Sequence, residues 1–253
     1  VKLPEPGPSR PHPLVGARNL VVGYQGRAIL PALQFEIRTG EFWALLGNNG
    51  SGKTTLIRTL LGLLPRVGGE VYRSPETILS YVAQRTELDP TIPGRVIDFV
   101  RSGLDRDWSF LHPFRGSDHR ATRTALADAR CDDLSHQQMA QLSEGQKSRA
   151  VLARALASNP NVLVLDEPTS VVDASTERAV FDLLERLRRE RQLALVVVSH
   201  RSELFVGRAT HAIFVDRLAA LASAGSFDAI VHSPMFLSRH GPSPSPAPIY
   251  PAH

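Results

Sequence analysis

Short apolar runs alternate along the chain with longer stretches in which apolar positions return every three or four residues. Such short runs are typical of strands whose two faces are both buried, and the longer spacing is typical of helices. Strands are predicted at residues 17–22, 33–37, 42–46, 78–83, 162–165, 193–199 and 212–215, and helices at residues 53–63, 143–157 and 176–189. The alternation of the two kinds of segment predicts an α/β fold built on a mostly parallel sheet.

Three parts of the chain depart from this alternation. Residues 85–139 have helical spacing but no strand-like run, so we expect an inserted helical subdomain over about residues 85–158. Both ends are rich in proline and cannot bury enough apolar surface to offset the entropy of ordering. The predicted organisation is a disordered segment at residues 1–13, a folded domain at residues 14–230 and a proline-rich tail at residues 231–253.

The composition narrows the class of protein without identifying it. Hydrophobic residues make up 42% and charged residues 21% of the chain, which is ordinary for a soluble globular protein. The net charge of +4 is small and the basic residues are scattered, so no nucleic-acid partner is expected. The one cysteine, Cys131, excludes an internal disulfide and suits a reducing compartment. Because no apolar run approaches the roughly 20 residues that cross a bilayer, we expect a cytosolic polypeptide whose membrane role depends on a partner.

A glycine-rich loop follows the predicted strand at residues 42–46 and leads into a predicted helix. Residues 47–55 match the pattern G-x-x-x-x-G-K-[ST], in which successive backbone N–H groups turn inward around phosphate oxygens. Lys53 is expected to reach the β- and γ-phosphates of a nucleotide, and the hydroxyl of Thr54 to ligate Mg²⁺. The predicted phosphate-binding residues are Gly47, Asn48, Asn49, Gly50, Ser51, Gly52, Lys53, Thr54 and Thr55.

An acidic pair, Asp166 and Glu167, follows the apolar strand at residues 162–165. Parallel sheets place their ligands at the carboxyl ends of the strands, so Asp166 is expected to hold Mg²⁺ and Glu167 to act as general base toward water. An acidic pair in front of Pro168 also suits the start of a helix. The phosphate-binding loop elsewhere in the chain favours the catalytic interpretation.

Between these motifs lies Leu142-Ser143-Glu144-Gly145-Gln146, and with it the chain resembles the ABC transporter ATPase family over about residues 17–216. The resemblance rests on motifs in the family's order: Tyr24, the phosphate-binding loop, Gln84, the signature at residues 142–146, the acidic pair, residues 170–173 and His200. It implies a P-loop NTPase core of mostly parallel sheet, with an antiparallel β region and an inserted helical subdomain. It also implies an ATPase that uses ATP and Mg²⁺.

The resemblance implies a role for each matched residue. Tyr24 would stack on adenine, Gln84 would contact Mg²⁺ or the attacking water, and His200 would hydrogen-bond the γ-phosphate. Asp173 would lie at the seam between two copies of the chain. The implied catalytic residues are thus Glu167, His200 and Gln84, and the implied metal ligands are Thr54, Gln84 and Asp166. Taken without the family, a strand tyrosine, a glutamine after a strand and a single histidine are more often structural.

The signature supports two interpretations that hold together. The spacing of Ser143 and Gln146 predicts a capping box at a helix N-terminus. The family uses the same turn, here Ser143, Gly145 and Gln146, to contact the γ-phosphate of ATP held by the opposite subunit. The chain departs from the usual LSGGQ because Glu144 replaces a glycine. We expect the Glu144 carboxylate to lie along the helix flank, where it suits the helix dipole, and not to point at the phosphate.

The family also implies partners and a place in the cell. Two copies, most simply a homodimer, would close head to tail on two ATP molecules beside transmembrane permease subunits, at the cytoplasmic face of the membrane. Residues 89–103 are similar to the corresponding stretch in ATPases of metal-ion and metal-chelate importers, a type that also works with a substrate-binding protein. Export or uptake of another substrate stays open, as do a non-transport ATPase acting on DNA or ribosomes and a nucleotide-binding regulator that does not turn over.

Overall fold

The computed structural model describes residues 12–83, 94–104, 116–168 and 173–241. Within these ranges the strands are β1 (Pro13–Val21), β2 (Gly23–Tyr24), β3 (Arg27–Ala28), β4 (Leu33–Arg38), β5 (Phe42–Leu46), β6 (Gly68–Arg73), β7 (Leu79–Val82), β8 (Val162–Asp166), β9 (Ala194–Val198), β10 (His211–Asp216) and β11 (Leu221–Ser226). The α-helices are α1 (Lys53–Leu60), α2 (Val96–Arg101), α3 (Gly116–Asp128), α4 (Glu144–Ala157), α5 (Ala174–Arg191), α6 (Phe227–Val231) and α7 (Pro234–His240). Among the described residues, no helix is both long enough and apolar enough to cross a bilayer.

The main sheet has the strand order β11-β10-β5-β9-β8-β7. Strands β10, β5, β9, β8 and β7 are parallel, and β11 joins the edge antiparallel to β10. The predicted α/β fold with a mostly parallel sheet is therefore confirmed. Because parallel strands share one direction, the carboxyl ends of five neighbouring strands meet at one edge of the sheet.

A second, antiparallel sheet of order β4-β1-β6 covers one face of the main sheet. Along β5, Trp43 and Leu45 point into the core shared with this small sheet, whereas Phe42, Ala44 and Leu46 point into the core on the helical side. Strand β5 is thus buried on both faces, which explains why its sequence is apolar at every position.

The helical side contains α2, α3 and α4, which pack on one another. Helix α4 also contacts β7, so this group of helices adjoins the edge of the sheet. The described residues of the predicted insertion are helical or in turns apart from one β-bridge between Arg95 and Gln138. Helix α5 covers the same face through buried side chains such as Phe181 and Leu184.

Several elements differ from the sequence expectations. Helix α1 ends at Leu60, three residues earlier than predicted, and Gly62 follows with a left-handed φ of 76°. Strands β6 and β11 lack an apolar run, since much of each is partly exposed. Helix α7 lies inside the stretch assigned to the proline-rich tail. Its Ser233 caps the first turn and Phe236 is buried, so packing overrides the composition there.

Candidate functional site

The phosphate-binding loop connects β5 to α1. Its first residue, Gly47, has no room for a side chain. A side chain on Gly47 would put its Cβ 2.3 Å from the carbonyl oxygen of Val215 and 2.5 Å from Oγ of Ser51. Gly47 also has a φ of 148°, which disfavours residues with a side chain. Only glycine fits, because the end of β10 lies directly behind the loop.

Lys53, the first residue of α1, is buried inside this loop. Its Nζ donates hydrogen bonds to the carbonyl oxygens of Gly47 at 2.7 Å and Asn48 at 2.9 Å. Burial lowers the pKa of Lys53, and the nearby carboxylates of Glu167 and Asp166 oppose that effect. An ammonium group has three N–H donors, so a donor beyond these two bonds is available to a phosphate oxygen.

The loop fits a bound anion by an independent criterion. Within the described part of the chain, Oγ of Ser51 is buried and has no hydrogen-bond partner, which is unfavourable for a polar group unless a ligand supplies one. The side chains of Asn48 and Asn49 are exposed around the loop, and Thr54 is partly buried at the start of α1. Hydroxyl and carboxylate oxygens are the ligands that Mg²⁺ prefers, so Thr54 and Asp166 are suitable donors for that ion.

Asp166 is the last residue of β8 and is only 2% exposed. Burial raises the pKa of its carboxyl group and the charge of Glu167 adds to the effect, while Tyr81, Lys53 and Arg58 oppose it. The hydroxyl of Tyr81, on the neighbouring strand β7, donates to Oδ2 of Asp166 at 3.4 Å. Burial and the same carboxylate raise the pKa of Tyr81 to about 12, so the phenol stays protonated.

Glu167 follows Asp166 in a left-handed backbone conformation, with φ at 49°. Its backbone N–H donates to the carbonyl oxygen of Val198 on β9 at 3.1 Å, which holds the residue beside the end of that strand. Oε1 of Glu167 lies 4.0 Å from Nδ1 of His200, whose side chain is 57% exposed. Two of the three predicted catalytic side chains therefore lie close together on adjacent strand ends, at a separation longer than a hydrogen bond.

Tyr24 lies on the small hairpin formed by β2 and β3 and is 46% exposed. Its hydroxyl is 2.9 Å from Oγ1 of Thr55, in the first turn of α1. The structure thus places the predicted adenine-stacking residue beside the helix that follows the phosphate-binding loop.

The signature turn forms the predicted capping box at the start of α4. The backbone N–H of Ser143 donates to Oε1 of Gln146 at 2.9 Å, and the N–H of Gln146 donates to Oγ of Ser143 at 3.3 Å. Oε1 of Glu144 accepts a hydrogen bond of 2.7 Å from Nζ of Lys147 on the same helix, so its carboxylate lies along the helix flank as expected. A side chain on Gly145 would place its Cβ 2.9 Å from Thr176 at the start of α5.

Not every predicted residue lies in this assembly. The hydrogen bonds of Ser143 in the described part of the chain are confined to α4, so none of them joins the signature to the phosphate-binding loop of its own chain. Gln84 and residues 170–172 lie outside the described residues. Asp173 caps α5, where its carboxylate accepts from the backbone N–H groups of Ser175 at 2.9 Å and Thr176 at 3.0 Å. A hydrogen bond from the hydroxyl of Ser175, followed by those from the backbone N–H and the hydroxyl of Thr176, holds the pKa of Asp173 well below its usual range.

Two residues near the acidic pair were missed by the sequence reasoning. Tyr81 bonds to Asp166, and the positive charge of Arg58 on α1 acts on the pKa of both. The signal for Tyr81 was a polar-tipped aromatic residue inside an apolar strand, a type of side chain that usually finds a hydrogen-bond partner when buried.

Comparisons with known proteins identify a matching family and several relatives. The model of the ABC transporter family matches residues 30–170. The chain is 34% identical over 228 residues to the zinc import ATP-binding protein ZnuC of Yersinia pseudotuberculosis, covering 90% of this chain and 85% of that protein. It is 31% identical over 240 residues to the protein of the same name from Pseudomonas savastanoi, covering 95% and 86%.

Two solved structures show the same fold. One is a metal-chelate type ABC transporter in an inward-facing conformation, with a TM-score of 0.81 and 24% identity over 90% of this chain and 88% of that one. The other is cbiO1 from Clostridium perfringens, part of the transporter complex cbiONQ, with a TM-score of 0.75 and 20% identity over 90% and 93%.

Proposed function

The chain belongs to the ABC transporter family as an ATP-binding ATPase subunit, and we propose that it powers uptake of a metal ion by pairing with a second copy on ATP. One observation carries the proposal. The phosphate-binding loop, the Asp166–Glu167 pair and His200 end three adjacent parallel strands, whereas the signature turn lies on a separate helix. We infer that the sheet edge forms half of an ATP site and that a second copy would supply the other half.

Binding of the triphosphate is assigned to the loop between β5 and α1. The buried ammonium of Lys53 and the unpaired Oγ of Ser51 would bind the phosphates, together with loop N–H groups at the N-terminus of α1. Mg²⁺ would neutralise charge on the phosphate oxygens, with Thr54 and Asp166 as its protein ligands and Gln84 as a further one. Tyr24 would stack on adenine.

Hydrolysis is assigned to Glu167 and His200. The oxygen of a water molecule bonds to the γ-phosphorus, the bond from that phosphorus to the bridging oxygen of ADP breaks, and the water proton passes to the carboxylate of Glu167. His200 would orient the γ-phosphate and the water from the end of the neighbouring strand. Its exposed ring can reach a ligand held at the sheet edge.

The signature would complete the site of the opposite copy. In the capping box, Oγ of Ser143 accepts a hydrogen bond, so its O–H remains a donor toward a phosphate oxygen. ATP favours the closed pair because its γ-phosphate contacts both chains, whereas ADP lacks that group. Closing and reopening would then be passed to permease subunits, with the chain peripheral to the cytoplasmic face of the membrane.

Glu167→Gln tests this mechanism. The substitution keeps the size of the side chain but removes the base, so ATP should bind and the closed pair should persist. We expect light scattering to show a dimer in saturating ATP with Mg²⁺ and a monomer in ADP, while phosphate release falls at least a hundredfold. A variant that stays monomeric in saturating ATP contradicts the proposal. Lys53→Ala in the same background is the control, because it should abolish the dimer.

The cargo is proposed from the relatives. Proteins named for zinc import match nine-tenths of the chain. Residues 89–103, of which 89–93 lie outside the described residues, resemble metal-importer ATPases. We expect the chain to co-purify with a polytopic membrane protein, and vesicles containing that complex to take up zinc only with ATP.

If those vesicles took up a different solute, zinc would be wrong as the cargo and the transport role would stand. Failure of any membrane protein to co-purify, with DNA or ribosomes recovered instead, would favour the non-transport ATPase.

A further inference from the structure

The hairpin that carries Tyr24 reverses direction in a two-residue turn. Its turn residues Gln25 and Gly26 both have left-handed φ values, 48° and 75°, which match the twist of a two-residue hairpin. A Cβ on Gly23 would lie 1.9 Å from the carbonyl oxygen of Arg27. The N–H of Ile29 donates to the carbonyl oxygen of Val22 at 2.9 Å and closes the base of the hairpin. The backbone of Tyr24 is therefore fixed by the hydrogen bonds and close packing of the hairpin.

The outer end of the same side chain is also held. Oη of Tyr24 and Oγ1 of Thr55 are 2.9 Å apart, and Thr55 is buried in the first turn of α1, two residues after Lys53. Yet nearly half of Tyr24 stays exposed, as one of the few exposed large hydrophobic residues in the described part of the chain. A ring fixed at both ends and left open to solvent is a preorganised surface for a flat ligand.

We infer that the Tyr24–Thr55 hydrogen bond is a positioning contact, which fixes the ring at a set distance from the phosphate-binding loop and so couples adenine binding to triphosphate binding. This inference rests on the proposed stacking role of Tyr24. Without the hydrogen bond, the ring would have to be ordered each time ATP binds, and that ordering lowers affinity. The contact spans 31 residues of sequence and joins the hairpin to the first turn of α1.

The test compares binding of ATP with binding of inorganic triphosphate, both with Mg²⁺, by calorimetry on the full chain. Tyr24→Phe keeps the ring and removes the hydroxyl. We expect it to weaken ATP binding about three- to tenfold, the range for a single net hydrogen bond, and to leave triphosphate binding unchanged. A merely structural loss would lower the melting temperature and weaken both ligands alike.

A double-mutant cycle isolates the contact. Thr55→Val removes the partner hydroxyl and is expected to affect both ligands, since Thr55 also belongs to the phosphate-binding loop. Adding Tyr24→Phe to Thr55→Val should then cost no further ATP affinity, because the contact is already lost. Thr55→Ser keeps a hydroxyl. In that background, Tyr24→Phe should again weaken ATP binding. Tyr72→Phe is the matched control: it removes a tyrosine hydroxyl that donates to Oε1 of Glu36 at 2.6 Å on the antiparallel sheet, and ATP binding should not change.

The outcomes separate this inference from the proposed function. If Tyr24→Ala weakens ATP binding but Tyr24→Phe binds like the wild type, stacking stands and the positioning contact is wrong. If Tyr24→Ala has no effect on ATP binding, the stacking role itself fails. If Tyr24→Phe binds ATP more tightly, the hydroxyl competes with the nucleotide and the inference is overturned. The dimer formed by Glu167→Gln tests the ATPase mechanism independently of all three.

Discussion

Burial raises the pKa of the Asp166 carboxyl group, whereas nearby positive charges lower it. Lys53, Arg58 and the Tyr81 hydroxyl favour its ionised form, but burial and the adjacent Glu167 outweigh them, so its pKa is raised in the folded chain. A carboxyl group whose folded pKa is raised stabilises the fold fully below its unfolded pKa. That contribution is lost as the pH rises through the folded pKa. At neutral pH, ionised Asp166 therefore lowers the free energy of unfolding.

Asp166→Asn should make the nucleotide-free chain more stable and inactive. The amide has nearly the same shape, carries no charge and can still accept from Tyr81. We expect the melting temperature to rise at pH 7, by roughly 2–4 °C for each kcal/mol gained in a domain of this size, and to rise less as the pH falls toward the unfolded pKa. ATPase activity should be lost because a proposed Mg²⁺ ligand is removed.

Thermal scans at several pH values check the prediction. Asp182→Asn is the control, since Asp182 forms an exposed ion pair with Arg208 at 2.8 Å and its charge should matter little. A lower melting temperature for Asp166→Asn at pH 7 would mean that the attraction of Lys53 and Arg58 outweighs burial.

The proposed site residues could be predicted from the sequence because motif spacing identifies them. Lys53, Asp166 and Glu167 each lie at a predicted strand end or loop. Their environment was not visible. The Tyr81–Asp166 and Tyr24–Thr55 hydrogen bonds join residues 85 and 31 positions apart, and such contacts depend on the strand order, which periodicity does not report.

At the scale of elements, the N-terminus of α4 combines a stability role with a proposed ligand role. Ser143 caps the helix through its oxygen and is proposed to contact a phosphate through its hydrogen. Aspartate caps a helix about as well as serine, and its charge suits the helix dipole. A negative charge at residue 143 would impair only the proposed phosphate contact and not the helix cap. One substitution can therefore separate the two roles.

Ser143→Asp in the Glu167→Gln background should keep the melting temperature within about 2 °C of its parent and abolish the ATP-dependent dimer. The carboxylate would repel the γ-phosphate of the opposite copy, whereas binding of ATP to the chain's own loop should be unchanged. Light scattering and calorimetry measure the two quantities.

Ser143→Ala is the comparison. It loses the cap, at a cost of about 1 kcal/mol, but adds no charge, so its dimer should be weakened and not abolished. A full-strength dimer from Ser143→Asp would show that this turn does not meet a phosphate.

Elements were predictable where both faces are buried and much less so at edges. Strands β5, β8 and β9 are buried at every position, and each was predicted within about two residues. Strand β6 is half exposed and begins with two glycines, so its sequence lacks the apolar run that identifies a strand. Its pairing with β1, not its composition, makes it a strand.

At the scale of the whole molecule, the chain is organised around β10 and β5. The end of β10 lies against Gly47 of the phosphate-binding loop, and α7 packs on β10 from the other side. Phe236 of α7 is 1% exposed and meets Phe214 edge to face at 5.5 Å, while Arg239 pairs with Asp216 at 3.2 Å. The seven residues of α7 therefore belong to the folded unit in spite of their place near the proline-rich end.

Phe236→Ala should lower the free energy of unfolding by about 3 kcal/mol, as expected when a buried aromatic side chain is truncated. Arg239→Ala, on the same helix, removes a partly exposed ion pair and should cost less than about 1 kcal/mol. Urea denaturation measures both. A loss below 1 kcal/mol for Phe236→Ala would place the end of the domain near residue 230, as the sequence suggested.

Glu167 adopts a backbone conformation that a glycine or an asparagine would occupy with less strain, at a saving of roughly 1 kcal/mol. A laboratory selection that rewarded only survival of heating would favour those residues at position 167. On the proposed mechanism, the selected variants would bind ATP but would not hydrolyse it. Thermal stability and catalytic turnover are thus opposed at this one position, and selection for stability alone would yield an ATPase arrested with ATP bound.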